Sequence, residues 1–227
     1  MDKHKCKVLI FDFDETLYYS HNMKDYYVNY ILTTLQNLTD LTKEKALELM
    51  NKYGFTSNNG ERVSFGKNCD KFGVTKQQWN NYRIDNFFQI DYSSAEIVDN
   101  SLLNDLSKLF NLYIVSNEIL ENLEYKAKML NIDLSVFKKI YAPLKKDVLN
   151  YKSSKQEIYK QIIEEENCKP QEVFAIGDRY AVDVQPLIEL GGTGLLVKRP
   201  SEISDFFLFN KGEEIDAKYA VSNFNGR

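Results

Sequence analysis

Four short apolar runs, separated by helical patterns, most restrict what this chain can fold into. Lys7-Val-Leu-Ile-Phe11, Leu112-Tyr-Ile-Val115, Val173-Phe-Ala-Ile176 and Gly194-Leu-Leu-Val197 carry apolar residues at consecutive positions. Strands buried on both faces of a parallel sheet read this way. Lys139-Ile-Tyr-Ala142 is a weaker candidate. Helical patterns fill 95–109, 118–130, 154–166 and 181–190, the last closed by Gly191-Gly192, a helix stop. The alternation predicts an α/β fold with a central parallel sheet and right-handed crossovers.

Residues 18–94 break the alternation, with helix starts but no convincing strand. Thr42 precedes a helical pattern over Lys43–Tyr53 that Gly54 closes, and Thr75-x-x-Gln78 forms a capping box for a helix through Phe88. Tyr26, Tyr27, Tyr30, Ile31 and Leu35 recur at helical spacing. These aromatics, with Trp79, Phe87 and Phe88, are expected to form the segment's own core, because apolar stripes at helical period usually face one. The predicted division is therefore a core of 1–17 and 95–227 with a helical insertion at 18–94. Residues 205–227 show no clear period.

Composition narrows the class. A formal charge of −4, without a Lys/Arg block, lacks the footprint of a binder of nucleic-acid polymers. The apolar run from Val8 stops at Asp12, so neither a signal-peptide core nor a membrane span is expected, and the expected location is cytoplasmic. Cys6, Cys69 and Cys168 are few and far apart, unlike a disulfide framework or a zinc site.

Ligands of an open parallel sheet bind beyond the carboxyl ends of its strands, so the residues just after each strand carry the information. Asp12-Phe-Asp14-Glu-Thr-Leu17 follows the first run, Ser116-Asn117 the run at 112–115, and Gly177-Asp178, with Asp183 beyond it, the run at 173–176. Lys152 lies ahead of the helical pattern at 154–166. Clustered acids are unfavourable unless a cation or proton intervenes, and oxygen-rich clusters suit Mg²⁺. A lysine among them suits an anionic substrate, so the set points to phosphate chemistry with Mg²⁺. Only His4 and His21 are present, which leaves a histidine mechanism without support. Taken singly, Asp12 and Asp14 also read as strand-ending turn acids, Ser116 as an N-cap for 118–130, and Asp178 and Asp183 as loop and first-turn acids.

Taken together, Asp12-Phe-Asp-Glu-Thr-Leu17, Ser116, Lys152 and Gly177-Asp-Arg-Tyr-Ala-Val-Asp183 resemble the four motifs of the haloacid dehalogenase superfamily of Mg²⁺-dependent phosphohydrolases. The order and spacing fit from residue 7 to about 200. The resemblance implies a Rossmann-like parallel sheet core with an inserted helical cap. It makes Asp12 the nucleophile that forms an aspartyl-phosphate, and Asp14 the acid that protonates the leaving oxygen and then deprotonates the attacking water. It gives the metal to Asp12, the backbone carbonyl of Asp14, and Asp178, with Asp183 holding a coordinated water or orienting the lysine. Ser116 and the backbone N–H of Asn117 would bind the phosphoryl oxygens. The family places its lysine two residues before a helix cap. Ser154-x-x-Glu157 is a capping box, which selects Lys152 and leaves Lys155, at the first helical position, as a solvated charge.

Asp14 favours phosphoryl transfer over carbon–halogen cleavage, which needs no proton for an alkoxide. The insertion would cover the site and favour a small phosphorylated substrate over a protein loop. Leu17-Tyr18-Tyr19-Ser20 and Asn51-Lys-Tyr-Gly54 resemble pyrimidine 5′-nucleotidases over few residues, suggesting a nucleoside monophosphate. Phosphoglycolate-type phosphatases and sugar-phosphate mutases share the architecture, and a catalytically silent binding or scaffold relative is the rival from another class. Tyr18, Tyr19, His21, Asn58, Asn59 and Arg62 are candidates for substrate selection, although residues of each kind are more often simply solvated polar side chains.

Overall fold

The computed structural model describes residues 6–53, 65–148 and 154–209. The chain divides into two compact units: Met1–Ser20, Tyr92–Leu144 and Tyr151–Arg227 form one, and His21–Asp91 and Lys145–Asn150 the other.

The first unit is built on a five-stranded, wholly parallel sheet. Its strands are β1 (Val8–Phe11), β4 (Asn111–Val115), β5 (Lys139–Tyr141), β6 (Val173–Gly177) and β7 (Thr193–Leu196), ordered β5-β4-β1-β6-β7. Every residue of β1 and β6 is buried, which explains why these strands read as unbroken apolar runs rather than as alternation. On one face Val8, Ile10, Tyr113, Val115, Val173 and Ala175 pack on Ile158, Tyr159 and Ile162. These last three belong to helix α7 (Lys155–Glu165). Chain order departs from spatial order at β1. The chain runs to β4 on one side of it and to β6 on the other, so the carboxyl end of β1 is a topological switch point.

The remaining helices of this unit are α5 (Asn100–Ser107), α6 (Leu120–Leu130), α8 (Gln185–Ile188) and α9 (Pro200–Phe209). Two short strands, β2 (Tyr18–Tyr19) and β3 (Glu96–Ile97), pair antiparallel. They fall where the sequence pattern gave no strand at 18–19 and a helix from 95. Two residues each give too little periodicity to register. The helix expected at 181–190 is a π-turn, Tyr180–Val184, that runs into α8. The chain beyond α8 turns through Gly191 at a left-handed φ of 93°. Ring stacking of Phe206 on Phe174, at 5.5 Å, seats α9, whose second half falls in the stretch from 205 that shows no clear period.

The second unit contains α1 (Met23–Leu38), α2 (Lys43–Tyr53), α3 (Phe65–Asn68) and α4 (Lys76–Asp85). Thr75 and Gln78 cap α4 reciprocally, as their spacing predicts, but the helix stops at Asp85 rather than Phe88. Ile31, Leu35, Ala46, Met50, Phe65, Phe72 and Trp79 make its core. The Phe65 and Trp79 rings meet edge-on at 4.9 Å, and Tyr30 lies 5.8 Å from both Trp79 and Phe88. The three cysteines are free thiols. Among the described residues, no helix is long and apolar enough to cross a membrane.

Candidate active site

β4, β1 and β6 lie side by side and parallel, with Phe11 level with Ile114 on one neighbour and Ile176 on the other. The residues that follow them, Asp12, Ser116 and Asp178, therefore leave the same edge of the sheet. Asp12 stays tied to the sheet by its N–H, which donates to the Ile176 carbonyl at 2.8 Å. Beyond it the chain turns sharply: the Leu17 N–H reaches back to the Phe13 carbonyl at 3.0 Å, and Glu15 adopts a left-handed φ of 61°. A side chain at such a φ is uncommon, and a local strain of this kind persists where the surroundings fix the backbone.

Asp12, Asp178 and Asp183 converge, each offering a carboxylate oxygen within 4.8 Å of the others. Gly177 makes this possible. A Cβ there would lie 2.3 Å from the Asp183 Cβ, so only glycine lets the turn after β6 bring Asp183 back against the strand. The Arg179 N–H then donates to Asp183 Oδ2 at 2.9 Å.

The cation in this cluster is Lys155. Its Nζ lies 2.6 Å from Asp12 Oδ1 and 2.8 Å from Asp183 Oδ1, with all three side chains almost fully buried. This corrects the expectation of a solvated Lys155. Ser154 does cap α7, with Glu157 completing the capping box. The position after the cap, however, falls on the buried stripe Lys155, Ile158, Tyr159, Ile162. A lysine in phase with an apolar stripe was the available signal. Lys152 lies outside the described residues.

Burial pushes the Asp12 carboxyl up to about 6, against the pull of Lys155. Burial, then the charges of Asp12 and Asp183, raise Asp178 well above the usual carboxylate range. Burial alone would lower Lys155, but Asp12 and Asp183 outweigh it and its pKa rises. The Asp178 ion pair with Arg179 Nε is long, at 3.9 Å. Three converging carboxylates with an all-oxygen donor set and one tightly bound lysine leave a negative pocket. That pocket fits a hard divalent cation rather than zinc or copper.

Asp14 does not join this cluster through its side chain. Its Oδ1 accepts from the Tyr18 hydroxyl at 2.5 Å and from Lys126 Nζ at 2.9 Å. Lys126 also bonds Glu118 Oε2, at 2.6 Å. Tyr18 is fully buried, which removes it from the solvated polar residues and places it beneath Asp14. Lys126 and Glu118 escaped the sequence reading, although Lys126 shares the buried face of α6 with Leu123, Ala127 and Leu130. Ser116 is buried, and its Oγ accepts from the Glu118 N–H at 3.1 Å. It shapes the loop and does not cap α6, which starts after Ile119. Asn117 is exposed. Asn58, Asn59 and Arg62 lie outside the described residues.

Comparison with known proteins follows the same lines. The model of the haloacid dehalogenase-like hydrolase family matches residues 6–191. No curated protein matches the chain in sequence. Among solved structures, a HAD phosphatase from Thermococcus onnurineus is similar at 16% identity, covering 92% of this chain and 99% of its own, with a TM-score of 0.55. A predicted phosphoglycolate phosphatase from Haemophilus somnus is similar at 16% identity, with 86% of each chain covered and a TM-score of 0.52. A haloacid dehalogenase-like family hydrolase from Streptococcus pneumoniae is 18% identical over 97% of this chain and 99% of its own, with a TM-score of 0.51. At these identities the solved structures share the fold. The family match spans most of the chain and takes in Asp12, Ser116, Asp178 and Asp183, and by it the chain belongs to the haloacid dehalogenase-like hydrolases.

Proposed function

We propose that this hydrolase is a Mg²⁺-dependent phosphomonoesterase that acts on a small phosphorylated metabolite through an aspartyl-phosphate. The observation that carries the reading is the convergence of Asp12 with Asp178 and Asp183 at the switch point of the sheet, with Lys155 bound to two of the three. Asp12, Asp178 and Asp183 would hold the ion, which supplies charge neutralisation for an anionic substrate.

In the first step an Asp12 carboxylate oxygen attacks phosphorus and the ester P–O bond breaks. Asp14 gives its proton to the leaving oxygen. In the second, Asp14 takes a proton from water, the water oxygen attacks the same phosphorus, and phosphate leaves with Asp12 restored. Lys155 holds the Asp12 carboxylate in place and offsets the charge that gathers on the phosphoryl oxygens. We assign this part to Lys155, on its distances, rather than to Lys152. The Ser116 hydroxyl and the Asn117 N–H, just beyond β4, would bind those oxygens. The position of Asp14, two residues after Asp12, supports ester cleavage over carbon–halogen cleavage, because an alkoxide leaving group needs a proton.

The test is phosphate release from 4-nitrophenyl phosphate with Mg²⁺. Activity that EDTA abolishes, excess Mg²⁺ restores and Asp12→Asn eliminates is the expected result. Full activity in Asp12→Asn would remove the nucleophile. A panel of phosphorylated metabolites, read by free phosphate, then ranks nucleotides against sugar phosphates.

A further inference from the structure

Lys126 is a buried cation that the proposed chemistry does not use. Its side chain is 1% exposed, yet it sits in two ion pairs, with Asp14 and with Glu118. Burial alone would pull its pKa down, but the two carboxylates outweigh that and raise it, so it stays charged. A buried ion pair is weak evidence of stabilisation, since an apolar residue of similar size often does as well. A lysine on the buried stripe of α6 therefore calls for another explanation, and its partners supply one.

Glu118 lies two residues beyond Ser116 in the loop after β4, and Asp14 lies in the loop after β1. Glu118 is itself fixed: the Ile119 N–H donates to its Oε1 at 2.8 Å and Asn122 Nδ2 at 3.4 Å, which leaves Oε2 to Lys126. Lys126 thus ties one loop of the site to the other. At Asp14 it meets the Tyr18 hydroxyl on the same oxygen, Oδ1. Tyr92 is a further titratable group near these charges, and its buried hydroxyl has no hydrogen-bond partner among the described residues. Two donors on one oxygen favour negative charge there; when the carboxyl carries a proton, that oxygen serves as the carbonyl-type acceptor and the proton is left to the other.

We propose that Lys126, set in place by Glu118, is a positioning residue for Asp14. It fixes Oδ1 as the acceptor, so that Oδ2 delivers the proton to the leaving oxygen and later takes one from water. The inference rests on the phosphomonoesterase reading above.

The test compares wild type with Lys126→Met on phenyl phosphate and 4-nitrophenyl phosphate, whose leaving groups depend on protonation to very different degrees. Because the ratio of kcat/KM for two substrates in one sample is independent of the fraction folded, partial unfolding does not enter. Lys126→Met is expected to lower kcat/KM for the phenyl ester about tenfold more than for the nitrophenyl ester, a part of what general acid catalysis supplies. Glu118→Gln is expected to shift the ratio the same way by less, and it serves should Lys126→Met fail to fold. A ratio equal to wild type in both variants overturns the proposal. So does a crystal structure of Lys126→Met in which Asp14 keeps its place on the Tyr18 hydroxyl. Wild-type protein with no Asp12-dependent release from either ester overturns the underlying reading, and the proposal with it. An active, Asp12-dependent wild type with unchanged ratios removes the positioning role alone.

Discussion

The two units bury different things. Among the described residues, the buried charged side chains Asp12, Lys126, Lys155 and Asp183 all belong to the sheet unit. The buried polar residues of the helical unit are Thr34 and Asn80, both neutral, within a core of aliphatic and aromatic side chains. Taking a charge out of water is unfavourable unless partners compensate. The helical core follows the ordinary logic of apolar burial, whereas the carboxyl edge of the sheet accepts charge and surrounds it with counter-charge. Where a fold departs from its own preference for apolar interiors, the departure is a candidate place for chemistry.

Lys155→Met should break this contrast most severely. It leaves Asp12 and Asp183 buried together without their cation, and removal of one partner from a buried pair costs about 3–5 kcal/mol. A large drop in melting temperature and loss of measurable phosphate release are expected; a solvated lysine would change neither. Trp79→Ala sharpens the contrast from the other side. Deleting this ring from the helical core should cost about 3–5 kcal/mol, while Mn²⁺ affinity, measured by calorimetry, stays within about twofold if the ion depends on the sheet unit alone. A parallel loss of affinity would mean that the two cores are not separable.

The smallest effect is a pH dependence. Asp12 is pushed from an ordinary 3.8 to about 6. An unfolded chain therefore releases this proton earlier on the pH scale than the folded one. Between the two values the folded state binds more protons, so stability falls as pH rises through that window. In metal-free protein, the melting temperature of wild type relative to Asp12→Asn should fall from about pH 4 to about pH 7. A relative rise over that interval would contradict a burial penalty on the Asp12 carboxylate that outweighs the pull of Lys155.

The strands and the acids after them were legible because each run is unbroken and the acids stand immediately beyond: Val8–Phe11 before Asp12, Val173–Ile176 before Gly177-Asp178. The capping box at Ser154 was legible for the same local reason. For Lys155, local geometry gives its place in the helix but not which way that face points. Its phase with Ile158, Tyr159 and Ile162 was in the sequence, yet the carboxylates it meets are 143 and 28 residues away. Lys126 meets Asp14 across 112 residues. Contacts of such separation are set by sheet order, and the order β5-β4-β1-β6-β7 is not written in any local pattern. The β2–β3 pair was missed because two residues do not make a period.

On the proposed reading, Asp12, Asp178 and Asp183 share one divalent ion at the carboxyl end of β1. Anomalous diffraction from crystals of the full chain grown with Mn²⁺ tests it most directly. A single strong peak is expected about 2.1–2.3 Å from carboxylate oxygens of Asp12, Asp178 and Asp183, with the Lys155 ammonium beside it and not displaced into solvent. A saturated crystal with no peak between those carboxylates, or with manganese held elsewhere on the chain, would contradict it.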